Sequence, residues 1–158
     1  MKNRRGIRET TLQALYAHQA GNEDREHVIA SVIKPKVEDD KEGLRFAERL
    51  FLKTLQTAEI ADNEIEKHIE NWEINRLAVI DRLVLRMAIC EFIHFDDIPP
   101  KVTINEAIEI AKKFSTAKSG RFVNGILDAV LESFSDENRM TKSGRGLVNQ
   151  SPDNQKSR

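Results

Sequence analysis

The chain has 158 residues, of which 39% are hydrophobic and 32% charged, and its formal net charge is −1. This length suffices for one filled hydrophobic core and is too short for two independent catalytic domains, while the single cysteine, Cys90, excludes a disulfide framework. No apolar run is long and uninterrupted enough for a signal peptide or a membrane span, so we expect a cytoplasmic protein without membrane contact.

Apolar residues recur at helical spacing along most of the chain, and no sustained alternation typical of strands occurs. The sequence therefore predicts an all-α fold, a compact bundle of about six or seven helices. A first helix is expected over about 4–20, and a short one over about 26–33, ending near Pro35. A long amphipathic helix is expected over about 43–69.

The central segment 74–95 is apolar on most sides, which is typical of helices covered by their neighbours. Within it, Asp81 is predicted to break the segment or to cap one of two helices. After Pro99-Pro100, the spacing of Thr103 and Glu106 fits a capping box and predicts the start of another helix.

The last helix is predicted from about Ser119 and passes through Asn124-Gly125, a dipeptide that is typical of turns. Seven apolar positions in helical register favour an unbroken helix, although a turn between two short helices stays open. Glycine inside a helix costs about 1 kcal/mol relative to alanine, so we interpret Gly125 as a notch for close approach by another helix. Beyond Ser135 the sequence is polar, which predicts a folded domain over 1–135 and a disordered tail over 136–158.

No phosphate-binding glycine loop or catalytic motif appears, so we expect neither a cofactor nor an enzyme. Glu91 and His94 have the Glu-x-x-His spacing by which helical bundles hold metals. Such a site needs a second pair, and Asp24 with His27 imitates one poorly, so a bundle metalloenzyme stays only as an alternative.

Cations are concentrated in two places. The first basic island comprises Lys2, Arg4, Arg5 and Arg8, and the second comprises Lys112, Lys113, Lys118 and Arg121. Cations neutralise phosphates and aromatic rings stack on unpaired bases, so these islands favour binding of a single-stranded nucleic acid. An arc of roughly 80° on the first helix contains Arg5, Arg8, Tyr16 and Gln19. The alternatives are a solvated charged face with Tyr16 against the core, and core packing for Phe122.

Three blocks of sequence resemble the NusB family: "RRGIRETTLQALYAHQ", "INRLAVIDRLVLRMAICE" and "IPPKVTINEAIEIAKKFSTAKSGRFVNGILD". The resemblance covers most of residues 4–131. It implies an all-α bacterial protein that pairs with NusE, a small-subunit ribosomal protein, and binds single-stranded boxA RNA. It further implies a place in transcription elongation complexes that read through terminators, notably in ribosomal RNA operons.

The resemblance assigns RNA contact to residues in both islands and beside them: Arg4, Arg5, Arg8, Tyr16, Lys118, Ser119, Arg121 and Phe122. It also makes Arg76 and Asp81 candidates for the surface that binds the protein partner. A homodimer of the free protein stays open. The alternative from a different class is a protein-only helical scaffold whose basic islands are merely solvated.

Overall fold

The computed structural model of the protein describes residues 3–69, 77–137, 139–140 and 142. Over these residues the chain is helical and contains no strand, which confirms the predicted all-α fold. The elements are α1 (Arg4–Gly21), α2 (Arg25–Val28), a π-helix (Ile29–Ile33), α3 (Lys34–Val37), α4 (Lys41–Glu66), α5 (Val79–His94), α6 (Pro100–Phe114) and α7 (Ala117–Asp136).

Side-chain caps define where three of these helices begin. The Asn3 side chain accepts a hydrogen bond from the Gly6 N–H at 2.8 Å ahead of α1, and Asp40 accepts one from Gly43 at 2.9 Å ahead of α4. Thr116 accepts the Ser119 N–H at 3.2 Å ahead of α7. Each cap satisfies a backbone donor that has no partner inside its own helix.

The second helical region continues past the predicted end at Pro35. α2, the π-helix and α3 follow one another without a gap from Arg25 to Val37. The Lys34 N–H bonds to the Ile29 carbonyl, five residues back, and Pro35 follows directly. The π turn changes the hydrogen-bond register just before a residue that has no N–H to donate, so the proline does not end the helix.

Two predicted helix starts need correction. α5 begins at Val79, so Asp81 lies in its first turn and does not separate two helices. α6 begins at Pro100, whose fixed φ suits the first position of a helix, so Thr103 and Glu106 lie inside α6. Their side chains bind Glu91 and Arg5 in place of a capping box.

The core is built around α5, which contacts α1, α4, α6 and α7. Four phenylalanines are fully buried, and two edge-to-face pairs join helices across the core: Phe92 with Phe134 at 6.4 Å, and Phe46 with Phe95 at 5.6 Å. Buried aromatic rings dominate the burial of apolar surface in a domain of this size. α5 therefore sets the positions of the helices around it.

The Asn124-Gly125 pair lies within α7, so the prediction of an unbroken helix is confirmed. The interpretation of Gly125 as a packing notch is wrong, because it is exposed and a Cβ added there meets no atom within 4 Å. Gly120 is the glycine at the helix contact, where an added Cβ would come within 2.8 Å of Lys112 Cγ on α6. The close approach of α7 to α6 therefore occurs at the start of α7.

Residues beyond Ser135 are described only in part. α7 extends to Asp136, and the Arg139 guanidinium lies 4.3 Å from the Phe134 ring and pairs with Glu64. Lys142 donates to the carbonyls of Glu91 and Phe95 at 3.1 and 2.8 Å. The rest of the predicted tail, over 136–158, lies outside the described residues, so its disorder and the domain boundary stay predictions.

The two α7 glycines should respond oppositely to alanine. Gly125→Ala gains helix propensity in open space and should stabilise the protein by about 1 kcal/mol. Gly120→Ala forces a Cβ against the stem of Lys112 and should destabilise by about 1–3 kcal/mol. Urea unfolding of both variants measures the difference, and equal effects would contradict this account of the α6–α7 contact.

Candidate nucleic-acid interface

Two ion pairs join α1 to α6 along a face that we call the α1–α6 seam. The Arg5 guanidinium binds Glu106 in a bidentate manner, with Nε–Oε2 and Nη2–Oε1 distances of 2.6 and 3.1 Å. Lys113 Nζ lies 3.0 Å from Glu9 Oε1. Because Arg5 belongs to the first basic island and Lys113 to the second, the fold brings members of both islands to one face.

The two other arginines of the first island differ sharply. Arg4 is exposed and its guanidinium lies 3.9 Å from the centre of the Phe46 ring, which is a cation–π contact. Arg8 is only 3% exposed and binds Glu91 through Nε and Nη2 at 2.8 and 2.9 Å. The prediction that Arg8 contacts a phosphate therefore needs correction, since its donors are turned into the core.

Gln19 does not lie with the other residues of the arc predicted on α1. This residue lines a separate cleft of about 240 Å³ between α1, α4 and α5, together with Leu15, His18, Asn22, Thr54, Leu55, Ala58, Leu83 and Arg86. With Arg8 inside, only Arg5 and Tyr16 of the four arc residues lie at the seam. Tyr16 is 47% exposed, so the alternative in which it packs into the core is wrong.

Tyr16 lines an open slot with residues that sequence reasoning had not assigned to a site. The slot has a volume of about 220 Å³ and its other lining residues are Leu12, Gln13, Ile80 and Phe114. Phe114 ends α6 and is partly buried against the core. It reaches the slot because α1, α5 and α6 each contribute a side chain to its lining.

The second island keeps two cations on the surface of α7. Lys118 and Arg121 are exposed in its first turns, and Lys112 lies 3.6 Å from Glu109 on α6. Phe122, beside them, is partly buried against the hydrophobic core. The structure therefore shows core packing, the alternative stated for Phe122, with part of the residue still exposed.

Ser119 and Asp81 form a buried anchor for the start of α7. Ser119 Oγ lies 3.0 Å from Asp81 Oδ2 and 3.0 Å from Ser115 Oγ, and the two residues are 5% and 8% exposed. The predicted RNA contact of Ser119 and the predicted partner contact of Asp81 need correction, because both side chains face each other inside the protein. Arg76 lies outside the described residues.

Both carboxylate oxygens of Glu91 are used in hydrogen bonds inside the protein, which argues against a metal site formed by Glu91 and His94. Its Oε1 accepts from Arg8 at 2.9 Å and from Thr103 at 2.8 Å, and its Oε2 accepts from Arg8 at 2.8 Å. In the described ranges, no group of three or more His, Cys, Asp or Glu residues is placed to hold a metal ion. Burial raises the pKa of Cys90 to about 11, so its thiol is protonated at neutral pH and unreactive.

None of the helices within the described part of the chain is long and apolar enough to cross a membrane. What the structure presents is a helical bundle with an exposed cationic face and a ring-lined slot. These features define an all-helical protein with a surface suited to a polyanion.

The chain belongs to the NusB family, whose sequence profile matches residues 5–132. It is 47% identical over 148 residues to the transcription antitermination protein NusB of Salinibacter ruber, which covers 94% of this chain and 92% of that relative. It is thus a transcription antitermination factor and not an enzyme.

Solved structures agree with this assignment. A T. maritima NusB crystal structure superposes with a TM-score of 0.78 at 37% identity and covers 87% of this chain and 96% of its own. The antitermination factor NusB, solved in complex with NusE and double-stranded RNA, superposes with a TM-score of 0.75 at 28% identity, covering 82% and 96%.

Removing Arg8 should destabilise the fold strongly. Arg8→Met leaves the Glu91 carboxylate buried without its partner, which costs about 3–5 kcal/mol in comparable buried pairs. Replacing both residues, as Arg8→Met with Glu91→Leu, should restore most of that loss. Urea unfolding of the single and double variants tests this, with exposed Arg45→Met on α4 as the neutral control. A single variant as stable as the parent would contradict the buried pair.

The Arg5–Glu106 pair should be visible in the titration of Glu106. The hydrogen bond from Arg5 outweighs partial burial and holds the pKa of Glu106 below its ordinary value. A carboxyl whose pKa is lowered by folding contributes stability above its unfolded pKa, and that contribution is lost as the pH falls through the folded pKa. NMR of the Glu106 carboxyl carbon should therefore show a midpoint below that of an unperturbed glutamate, and Arg5→Ala should raise this midpoint. An unchanged midpoint in Arg5→Ala would show that the pair does not form in solution.

Proposed function

We propose that this protein is an RNA-binding adaptor that binds single-stranded, boxA-like RNA as a heterodimer with NusE. In this role it promotes read-through of ribosomal RNA operons as part of a transcription elongation complex. The observation that carries the proposal is the α1–α6 seam, which sets cations from both basic islands on the same side of α1 as the exposed ring of Tyr16.

The chemistry of the seam matches an unpaired polynucleotide. Arg4, Arg5, Lys113, Lys118 and Arg121 are exposed and can pair with phosphates without losing a buried partner. Tyr16 offers a ring face for stacking, which requires a base that is not already paired within a duplex. The combination favours a single strand over a double helix.

The comparison with the solved complex supports the choice of partners. In that complex NusB is bound to NusE and to double-stranded RNA, and its fold matches most of this chain, so it supports NusE and RNA as partners. Arg76 stays a candidate for the NusE surface. Asp81 is no longer one, because its side chain is buried against Ser119. A homodimer and a cytoplasmic location stay predictions.

The acids of the seam add a feature to the proposal. Arg5 and Lys113 are paired with Glu106 and Glu9 in the free protein, so a phosphate must compete with these carboxylates. Both pairs are at the surface, where such contacts are worth little, and the exchange therefore costs little. The acids hold the cations in place and lower the attraction for any polyanion that does not displace them.

Affinity for RNA should depend on salt and should respond with opposite signs to the two members of a pair. Arg5→Ala should weaken binding of boxA RNA severalfold and reduce the slope of log affinity against log salt by about 0.7. Glu106→Gln should strengthen binding, because Arg5 no longer has a competing carboxylate. Fluorescence anisotropy across a salt series, with and without NusE, measures both effects.

Lys67→Ala provides the matched control, since this exposed lysine lies about 36 Å along α4 from Gly43, which is next to Ile7 of α1. It should leave both affinity and slope unchanged. Affinity that is indifferent to salt and to Arg5→Ala would refute RNA binding at the seam. Capture of NusE without any RNA binding would instead favour the protein-only scaffold.

A further inference from the structure

Three residues that follow α7 hold the chain against the bundle, and we call them the C-terminal clasp: Arg139, Met140 and Lys142. Arg139 pairs with Glu64 of α4, whose side chain is only 3% exposed. A buried carboxylate is costly without a cation, and Arg139 shares this role with Lys67 of α4. Met140 packs against the hydrophobic core. The clasp is therefore part of the folded body of the protein.

Lys142 joins the clasp to the end of α5. Its ammonium donates hydrogen bonds to the carbonyls of Glu91 and Phe95, at 3.1 and 2.8 Å. The C-terminal end of a helix carries a partial negative charge and carbonyls that lack partners within the helix, so an ammonium is favoured there. The chain thus has a defined position, at the end of α5, where it continues beyond the clasp.

This position lies at the same end of the bundle as the first basic island. The Phe95 ring packs edge-to-face on the Phe46 ring, with 5.6 Å between their centres. The guanidinium of Arg4, at the start of α1, lies 3.9 Å from the centre of the Phe46 ring. A short series of contacts therefore links Lys142 to the exposed arginine that begins α1.

The sequence that continues from the clasp is cationic and polar. Sixteen residues follow Lys142, and they lie outside the described residues. They contain three cations, Arg145, Lys156 and Arg158, against one acid, Asp153. They include no aromatic residue, and their aliphatic side chains are those of Leu147 and Val148 beside one proline. This composition offers little to an apolar groove and much to a row of phosphates.

The charge at both places decides what this segment binds. The first basic island is also cationic, so a cationic segment gains nothing by packing on it directly. A polyanion that passes the start of α1 relieves the repulsion between the two groups and pairs with both. Sixteen extended residues span at most about 53 Å, which is longer than the roughly 27 Å of α1. The segment can therefore reach an RNA strand beyond either end of α1.

We propose that residues 143–158 are a cationic arm that pairs with phosphates of the RNA outside the boxA-like element. The C-terminal clasp holds the first residue of this arm beside the start of α1, where the strand leaves the α1–α6 seam. The inference rests on the proposed function and extends it. It adds contacts that do not depend on base sequence, and it assigns a role to Arg145, Lys156 and Arg158.

Binding of extended RNA tests the arm. Fluorescence anisotropy of the whole chain with NusE is measured on boxA RNA alone and on the same RNA extended by unpaired uridines at its 5′ or its 3′ end. Extension at one end should strengthen binding severalfold and steepen the slope of log affinity against log salt by about 2, the value for three phosphate contacts. Arg145→Gln, Lys156→Gln and Arg158→Gln together should abolish both gains and leave the affinity for unextended RNA unchanged.

Single substitutions supply the matched control. Arg145→Gln alone should reduce the slope on extended RNA by about 0.7, the share of one contact. Arg25→Gln also removes one exposed arginine, but this residue follows the opposite end of α1, about 26 Å from Arg4. It should leave the slope and the gain from extension unchanged. Equal effects of the two variants would attribute the gain to net charge and overturn the arm.

Limited digestion with trypsin tests the clasp without measuring affinity. The backbone beside Arg139 and Lys142 is held by contacts to α4 and α5, so trypsin should cut after Arg145 before it cuts after either of them. Extended RNA should slow the cut after Arg145, and unextended RNA should not. Cleavage after Arg139 or Lys142 as rapid as that after Arg145 would show that the clasp does not hold the chain.

The remaining outcomes overturn the inference in separable ways. If extension strengthens binding equally in the parent and the triple variant, or in neither, the arm does not bind RNA and the proposed function stands. If the triple variant loses capture of NusE in the absence of RNA and keeps its RNA affinity, the three cations belong to a protein contact. Failure of the unmodified protein to bind boxA RNA at low salt refutes the proposed function, and the inference with it.

Discussion

The buried contact between Arg8 and Glu91 is the constraint on which the arrangement of the other helices depends. It joins α1 to α5, and Thr103 brings α6 to the same carboxylate at 2.8 Å. Glu91 is 2% exposed, so each charge in this network is costly without the other. A fold in which α1 shifted along α5 would leave both charges unpaired in the core, and this penalty fixes the register of α1 against α5 and α6.

That register determines the exposed face. With Arg8 turned inward, Arg5 and Glu9 lie along α6 and meet Glu106 and Lys113. Further along α1, Tyr16 reaches Phe114 at the end of α6 and Ile80 at the start of α5. Arg8 of the first island thus aligns the helices. This alignment places the other cations and the rings where a polynucleotide can reach them.

The position of the second island depends on a separate buried contact at the start of α7. Ser119 and Asp81 join the start of α7 to α5, and Gly120 permits α7 to approach Lys112 on α6. Lys118 and Arg121 are therefore held on the surface by neighbours that are buried. In each island, sequence reasoning grouped two kinds of polar residue with the binding surface. Arg8 and Ser119 are buried and position the helices, whereas Arg5 and Lys118 are exposed and accessible to a ligand.

The sequence by itself determined the helical class, the approximate extent of α1, α4 and α7, and the family, because apolar periodicity and the family's motifs are local properties of the chain. It also located the two basic islands. It did not separate Arg8 from Arg5, or Ser119 from Lys118, since both members of each pair are polar and lie close together in the sequence.

The tertiary structure alone decided which polar residue of each pair is buried. It also decided that the helix continues through Pro35 and that Gly125 has open space around it. The physical reason is that burial of a polar side chain depends on whether a partner from another helix meets it. Glu91, Asp81 and Glu106 are separated by tens of residues from the groups they bind. Only the packing of the helices around α5 brings these partners together and places Tyr16 and Phe114 at one slot.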